Sequence, residues 1–194
     1  MSKKYRKNTY VIWKSTPELI LYAVLCAVLG IWFYIKTGSI EWGMIFLGLT
    51  IFFLLPVGYR LLRKYIKKQK YLNSSLELID NFTGEEFEEF LKAHFEKQGY
   101  KVTLTPKSFD YGVDLVCKKS VGGSIDMFVV QAKRYNGKVG ITAVQQVIGG
   151  MHYYGCYKGY VITNSYFTDS AWGLAKKSNI ILWDRNILTE KFRI

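Results

Sequence analysis

Gly112-Val113-Asp114-Leu115-Val116, followed by Phe128-Val129-Val130-Gln131-Ala132-Lys133-Arg134, is the stretch on which the reading of this chain turns. Both halves are apolar and β-rich and read as strands. Alternation with period two puts Asp114 with Val116 on one face of the first strand, and Val129, Gln131 and Lys133 on one face of the second. If the two strands pair as a hairpin, a carboxylate, an amide oxygen and an ammonium meet. That trio suits phosphodiester hydrolysis: oxygen ligands hold a hard cation such as Mg²⁺, and a lysine polarises or deprotonates the attacking water. A polar residue between Val130 and Ala132, with a lysine next on the same face, is costly in a central strand unless those groups are paired or functional.

The neighbouring sequence supplies the frame. Thr83-Gly84-Glu85-Glu86 has the Thr-x-x-Glu form of a capping box, and Phe87, Phe90, Leu91 and Phe95 recur at helical spacing, which predicts a helix over 84–98. Gly99 ends it. A strand follows at 100–105, then a turn at 106–111, the Asp114 strand, a Gly122-Gly123 turn and the strand ending in Gln131 and Lys133. Beyond Gly137 the pattern turns helical, with Thr142 as a cap, as far as Tyr154. A strand at 159–163, a helix at 168–178 and a strand at 180–183 complete the order αβββαβαβ. This is an α/β pattern, and it implies a mixed sheet sandwiched by helices.

The first third of the chain is different. Residues 19–35 and 42–59 contain no charged side chain, and each is close to the ~20 residues that cross a hydrocarbon core. They read as a transmembrane helical hairpin joined by a short turn at Gly38 and Ser39, with Trp13, Trp32, Tyr34, Trp42 and Tyr59 near the interfaces. A cleavable signal peptide is disfavoured by the length of the first run and by the second run directly after it. A buried hairpin of a soluble protein would have to hide nearly every side of both helices.

The net charge of +12 belongs mainly to this part. Through residue 75 there are 12 Lys/Arg and 2 acids, a net +10, and from Leu76 onward 15 and 13, a net +2. The excess lies in the runs 3–7 and 60–70 that flank the spans, so it reads as a topology signal rather than a nucleic-acid footprint. By the positive-inside rule both termini and everything after Lys70 are cytoplasmic, at the inner (cell) membrane. Leu61, Leu62, Tyr65 and Ile66, interleaved with the basic residues, could also lie against anionic lipid.

Cys26, Cys117 and Cys156 offer neither metal spacing nor an even disulfide set, and with His94 and His152 the only histidines a zinc site is not expected. The division expected is a membrane anchor at 1–70, a linker at 71–75 where apolar density falls, and a domain at 76–194 long enough for its own core.

From Phe82 to about Leu188 the chain resembles the Mrr-like restriction endonucleases of the PD-(D/E)XK nuclease superfamily. The matching pieces are 84–88, Gly99-Tyr100, Gly112-Val113-Asp114, Gln131-Ala132-Lys133-Arg134, Val144-Gln145 with Gly149-Gly150, and 161–168, in the expected order over a little over half the chain. Gln131 stands where the superfamily label has Asp or Glu, a form typical of this branch. The resemblance implies a restriction-endonuclease-like fold and a Mg²⁺-dependent DNA endonuclease, with Mn²⁺ able to substitute and no small-molecule cofactor. Asp114 and Gln131 would bind the cation, and Lys133 would orient and help deprotonate the water. Glu88, beside the Phe87/Leu91 stripe, is the candidate for a further acid, and Gln145 for an accessory contact to the site or DNA.

The same resemblance implies a restriction or defence role against foreign DNA. Double-strand cleavage needs two sites, which makes a homodimer plausible. The alternatives are a non-catalytic membrane-bound DNA-binding or assembly module on the same fold, or a nuclease for branched DNA or RNA. Glu86 reads as a helix cap, Glu85 and Glu89 as solvated, and Asp110 and Asp126 as turn residues. Lys107, Lys118, Lys119, Arg134, Lys138 and Lys158 are expected to line one DNA groove.

Overall fold

A computed structural model describes residues 16–106 and 111–194; the basic run 3–7, Trp13, Lys107 and Asp110 lie outside the described residues. The chain divides into two compact units, Met1–Ile66 and Lys67–Ile194.

In the first unit, helix α1 (Thr16–Thr37) and helix α2 (Ile40–Leu72) form the expected hairpin. Gly38 makes the reversal with φ +65°. Leu19, Ala23 and Gly30 lie at helical spacing on the buried face of α1, and a Cβ at Gly30 would stand 2.7 Å from the Phe46 Cβ. Phe33 stacks between Trp42 and Phe46, at 5.6 and 5.7 Å. Both helices are long and apolar enough to cross a membrane, and their apolar windows are only 17% and 6% buried. That exposure is the opposite of a core hairpin. Pro56 sits inside α2 without ending it.

The helix does not stop at the basic run but continues to Leu72, and its last turns belong to the second unit. There Lys67 pairs with Glu89 at 3.7 Å and Lys68 with Glu96 at 2.7 Å. Tyr71 packs edge-on against Phe82 at 5.7 Å. The residues read as a linker at 71–75 are therefore partly core, with Tyr71 and Ser74 both buried. A short polar window hides one tyrosine ring that an adjoining phenylalanine covers.

Short helix α3 (Leu76–Ile79) leads to α4 (Gly84–Lys97). The Thr83 hydroxyl accepts from the Glu86 N–H at 3.2 Å, and the Thr83 N–H donates to the Glu86 carboxylate at 3.0 Å. The capping box is complete, so Glu86 is a cap. Strands β1 (Lys101–Leu104), β2 (Leu115–Val121) and β3 (Ser124–Lys133) form an antiparallel meander. Helix α5 (Ile141–Tyr154) crosses to β4 (Lys158–Thr163), and α6 (Asp169–Lys177) to β5 (Ile180–Trp183), both strands parallel to β3. The sheet order is β1-β2-β3-β4-β5, with α7 (Arg185–Phe192) closing the chain. The αβββαβαβ order holds, with α3 and α7 added. Gly140, not Thr142, caps α5, and Asp126 lies inside β3 rather than in a turn.

Each face of the sheet has its own core. Phe90, Phe95, Leu188 and Phe192 of α4 and α7 cover Leu115, Cys117, Phe128, Val130 and Ile162. Val144, Val147, Ala171 and Ala175 of α5 and α6 cover Val116, Val129, Val161 and Leu182. Central strand β3 is thus buried on both sides, and any polar residue along it needs a partner.

Candidate active site

Gln131 is that polar residue, only 4% exposed. Its parity with Val129 places it on the α5 face, and Asp114 shares that face by parity with Val116. Leu115 pairs with Val130, so the register sets Asp114 opposite Gln131. Asp114 stands one residue before β2, held by its own backbone: its N–H donates to the Val130 carbonyl at 2.9 Å, and its carbonyl accepts from the Thr105 N–H at 3.0 Å.

The side chains meet. The Gln131 amide Nε2 donates to Asp114 Oδ2, and the Ala132 N–H donates to the same oxygen at 2.7 Å. An ionised carboxylate only accepts, so the amide must turn its NH₂ toward Asp114 and its oxygen away. Lys133, half-buried, is the last residue of β3, and its carbonyl accepts from the buried Thr163 hydroxyl at 2.6 Å. The carboxylate and amide predicted to converge do so, and the lysine ends the same face.

The loop carrying Asp114 is pinned by glycines. Gly112 has φ +75°, and a Cβ there would lie 2.8 Å from the Gln146 carbonyl oxygen of α5. A Cβ at Gly150 would lie 2.1 Å from the Val113 side chain and 3.0 Å from the Tyr111 carbonyl. The small residues of α5 let it approach the Asp114 loop. Gln145, by contrast, is exposed on α5. Glu88 is half-buried on α4, whose apolar stripe packs on the face of the sheet opposite Gln131.

Among the described residues no three His, Cys, Asp or Glu side chains converge as a metal-ligand group. The donor types at Asp114 and Gln131 still fit a hard divalent cation, one carboxylate and one amide oxygen with no thiol or imidazole. The amide here presents its NH₂ to Asp114, and its oxygen would turn toward a cation held between them. Mg²⁺ is commonly held by one or two carboxylates, its other positions filled by water and substrate phosphate.

A second polar cluster lies just past Lys133, and it was not legible in the sequence. Arg185 Nη1 and Nη2 donate to the two carboxylate oxygens of Asp80 at 2.6 and 2.8 Å, and the Asn164 amide donates to Asp80 Oδ1 at 2.9 Å. Asn164 Oδ1 accepts from the Tyr135 N–H at 2.8 Å, and Arg134 Nη2 donates to the Asp80 carbonyl. The Arg185 guanidinium, above all by hydrogen bonding, holds the Asp80 carboxyl below its ordinary pKa. The cluster fixes the chain after β3 to the chain after β4. Its one sequence signal was Asn164 two residues after the apolar run 160–162; Asp80 and Arg185 are too far apart in sequence for spacing to connect them.

The basic residues expected to share one groove separate. Lys119 pairs in register with Asp126, and Lys158 with Phe128, at the end of the sheet away from Lys133. Lys119 donates to the Gln98 carbonyl at 2.7 Å, and Lys158 pairs with Asp126 at 3.6 Å. Arg134 and Lys138 remain at the Lys133 end. Five residues along a strand span ~17 Å, so the two groups cannot serve one local contact. Burial pushes the Cys117 thiol up to about 12 and raises that of Cys156, which disfavours the reactive thiolate at both.

Residues 79–192 match the family described as restriction endonuclease, of the Mrr catalytic type. No curated protein matches the sequence. Among solved structures, the DNA modification-dependent restriction endonuclease AspBHI is 20% identical with a TM-score of 0.46, covering 66% of this chain and 35% of its own. MspJI restriction endonuclease, solved in complex with a 27-mer oligonucleotide, is 17% identical with a TM-score of 0.39, covering 72% and 31%. The chain spans about a third of the length of each.

Proposed function

The chain belongs to the Mrr-type restriction endonuclease family, and on that premise we propose that it is a membrane-anchored, divalent-metal-dependent DNA endonuclease acting in restriction of foreign DNA. The observation that carries the reading is the contact of buried Gln131 with half-buried Asp114, with Lys133 next on that face at the strand end.

Asp114 and Gln131 would hold the cation. A divalent cation bound there supplies charge for the scissile phosphate oxygens and acidifies the attacking water. The Gln131 and Ala132 N–H groups lock the Asp114 carboxylate in one orientation, which places its ligating oxygen before substrate arrives. Lys133 would orient the attacking water and stabilise the hydroxide left as its proton passes to solvent.

The two apolar helices are the proposed anchor, with the nuclease domain on the cytoplasmic side, where the flanking basic run 60–70 belongs under the positive-inside rule. Cell fractionation tests the anchor: the full chain pellets with membranes and resists carbonate extraction, and recovery in the soluble fraction contradicts it. Incubating methylated and unmethylated supercoiled plasmid with the purified chain, in Mg²⁺ or EDTA, tests the activity. Cleavage in Mg²⁺ alone supports it, and a preference for one plasmid shows whether modification is read.

A further inference from the structure

Two loops leave the carboxyl ends of β3 and β4, at 134–140 and 164–168. They behave as one piece. Val139 bridges Phe167 in parallel, the Val139 N–H donates to the Tyr166 carbonyl at 2.7 Å, and the Thr168 N–H donates to the Val139 carbonyl at 3.1 Å. The Asn164 side chain ties in the Tyr135 N–H at 2.8 Å and is itself held by Asp80 at 2.9 Å. The Arg185 N–H donates to the Ser165 carbonyl at 2.8 Å. Loops bonded this densely present their side chains in fixed positions.

What they present is aromatic and basic. Tyr135 is 58% exposed and Tyr166 44%, and Trp172, in the first turn of α6 and edge-on to Phe167 at 5.8 Å, is 41% exposed. The segment 133–140 carries Lys133, Arg134 and Lys138 and no acid. Single exposed rings are ordinary. Two on one bridged pair of loops and a third in the helix that follows, beside cations and at the strand ends where α/β sheets bind ligands, call for a ligand of matching chemistry. Cations that track a phosphate backbone, combined with ring faces on which bases stack, are the means of holding unpaired nucleotides. Bases inside a duplex offer only their groove edges.

We propose that Tyr135, Tyr166 and Trp172 form a stacking platform for unpaired nucleotides beside Lys133, so that the preferred substrate is DNA with a single-stranded segment next to the cleaved phosphate. The position of that phosphate rests on the nuclease reading above. The platform itself is read by binding alone.

The test uses the full chain in detergent micelles, carrying Asp114→Ala to prevent cleavage, and fluorescence anisotropy with a labelled single strand, a blunt duplex and a fork of the same sequence. The fork and the single strand bind about tenfold tighter than the duplex, and Tyr135→Ala with Tyr166→Ala removes about tenfold from both. Tyr135→Phe with Tyr166→Phe, which keeps the ring faces, retains the preference. If the double alanine variant melts early, Trp172→Ala and Tyr166→Ala singly carry the same test at an unchanged melting temperature.

Duplex bound as tightly as fork, or alanine variants that bind like the parent, overturns the platform. Tighter binding of an RNA strand than of DNA overturns the assignment to DNA. Metal-dependent cleavage by the unmodified chain is measured separately. Cleavage without ring-dependent binding overturns the platform and leaves the nuclease reading standing; ring-dependent binding to the fork without cleavage supports the platform and counts against the nuclease.

Discussion

The side-chain amide of Gln131 donates to Asp114 Oδ2, the same oxygen that accepts the Ala132 backbone N–H at 2.7 Å. A neutral amide here places no second negative charge beside the half-buried Asp114 carboxylate. Gln131→Glu removes that arrangement. Two adjacent carboxylates raise the pKa of one of them, and the repulsion is relieved only by a bound cation. The expected outcome is a lower melting temperature in EDTA, recovery in Mg²⁺, and half-maximal cleavage at a lower Mg²⁺ concentration. Melting curves with and without the cation, beside a Mg²⁺ titration of cleavage, check it.

The glycines opposite Asp114 predict a different failure. Gly150→Ala drives a methyl to within 2.1 Å of the Val113 side chain, and Val113 precedes Asp114. Overpacking of this kind costs about 1–3 kcal/mol. The Asp114 loop must move, so cleavage at a temperature where the variant is folded falls by more than the loss of stability explains. Gly149→Ala, with nothing within 4 Å of its Cβ, is the matched control and stays near the parent.

His94 sets the acid limit. It is 4% exposed, stacked on Phe192 at 4.2 Å, with its Nε2 buried and without a partner. Burial lowers its pKa from 6.5 to about 4. The folded state therefore favours the neutral imidazole, so its contribution is fully present above pH 6.5 and is lost as pH falls toward about 4. The difference corresponds to about 3 kcal/mol over that window. Thermal melts across the window show the decline, and His94→Phe, which keeps the ring stack, flattens it.

Asp80 acts in a lower window. Its folded pKa lies below the ordinary 3.8, chiefly through hydrogen bonding from Arg185, so its stabilisation is present above 3.8 and lost as pH falls through the folded value. At neutral pH, Asp80→Asn removes a charge-assisted pair that is 38% and 27% exposed on its two sides, and the loss is about 1–2 kcal/mol. Arg185→Gln alone gives a similar loss. The double variant loses less than the sum, which a double-mutant cycle at neutral pH measures.

The sheet and its order were legible because periodicity and turn residues report directly on strands and helices: Gly122 and Gly123 take positive φ at the predicted hairpin turn, and Thr83 and Glu86 cap the predicted helix. The Asp114 and Gln131 pair was legible because a polar residue in an apolar strand demands a partner. The Asp80, Asn164 and Arg185 cluster was not, since its members come from three distant segments and each alone looks like a surface residue. The single basic groove failed for a related reason. Composition counts lysines, but only strand register shows that Lys119 and Lys158 lie at the other end of the sheet from Lys133. The burial of Tyr71 against Phe82 was not legible either, because the ring lies within a polar-looking run.

The central claim is that Asp114, Gln131 and Lys133 are one hydrolytic site. Its most direct test is the single-turnover rate of supercoiled plasmid cleavage in saturating Mg²⁺ by the full chain, by Asp114→Ala and by Lys133→Ala, all confirmed to be folded and to bind DNA. Metal-dependent cleavage by the parent that falls by at least about 10²-fold in each variant is the predicted result. Cleavage that survives both substitutions, or a parent that binds DNA but does not cut it, would contradict the account.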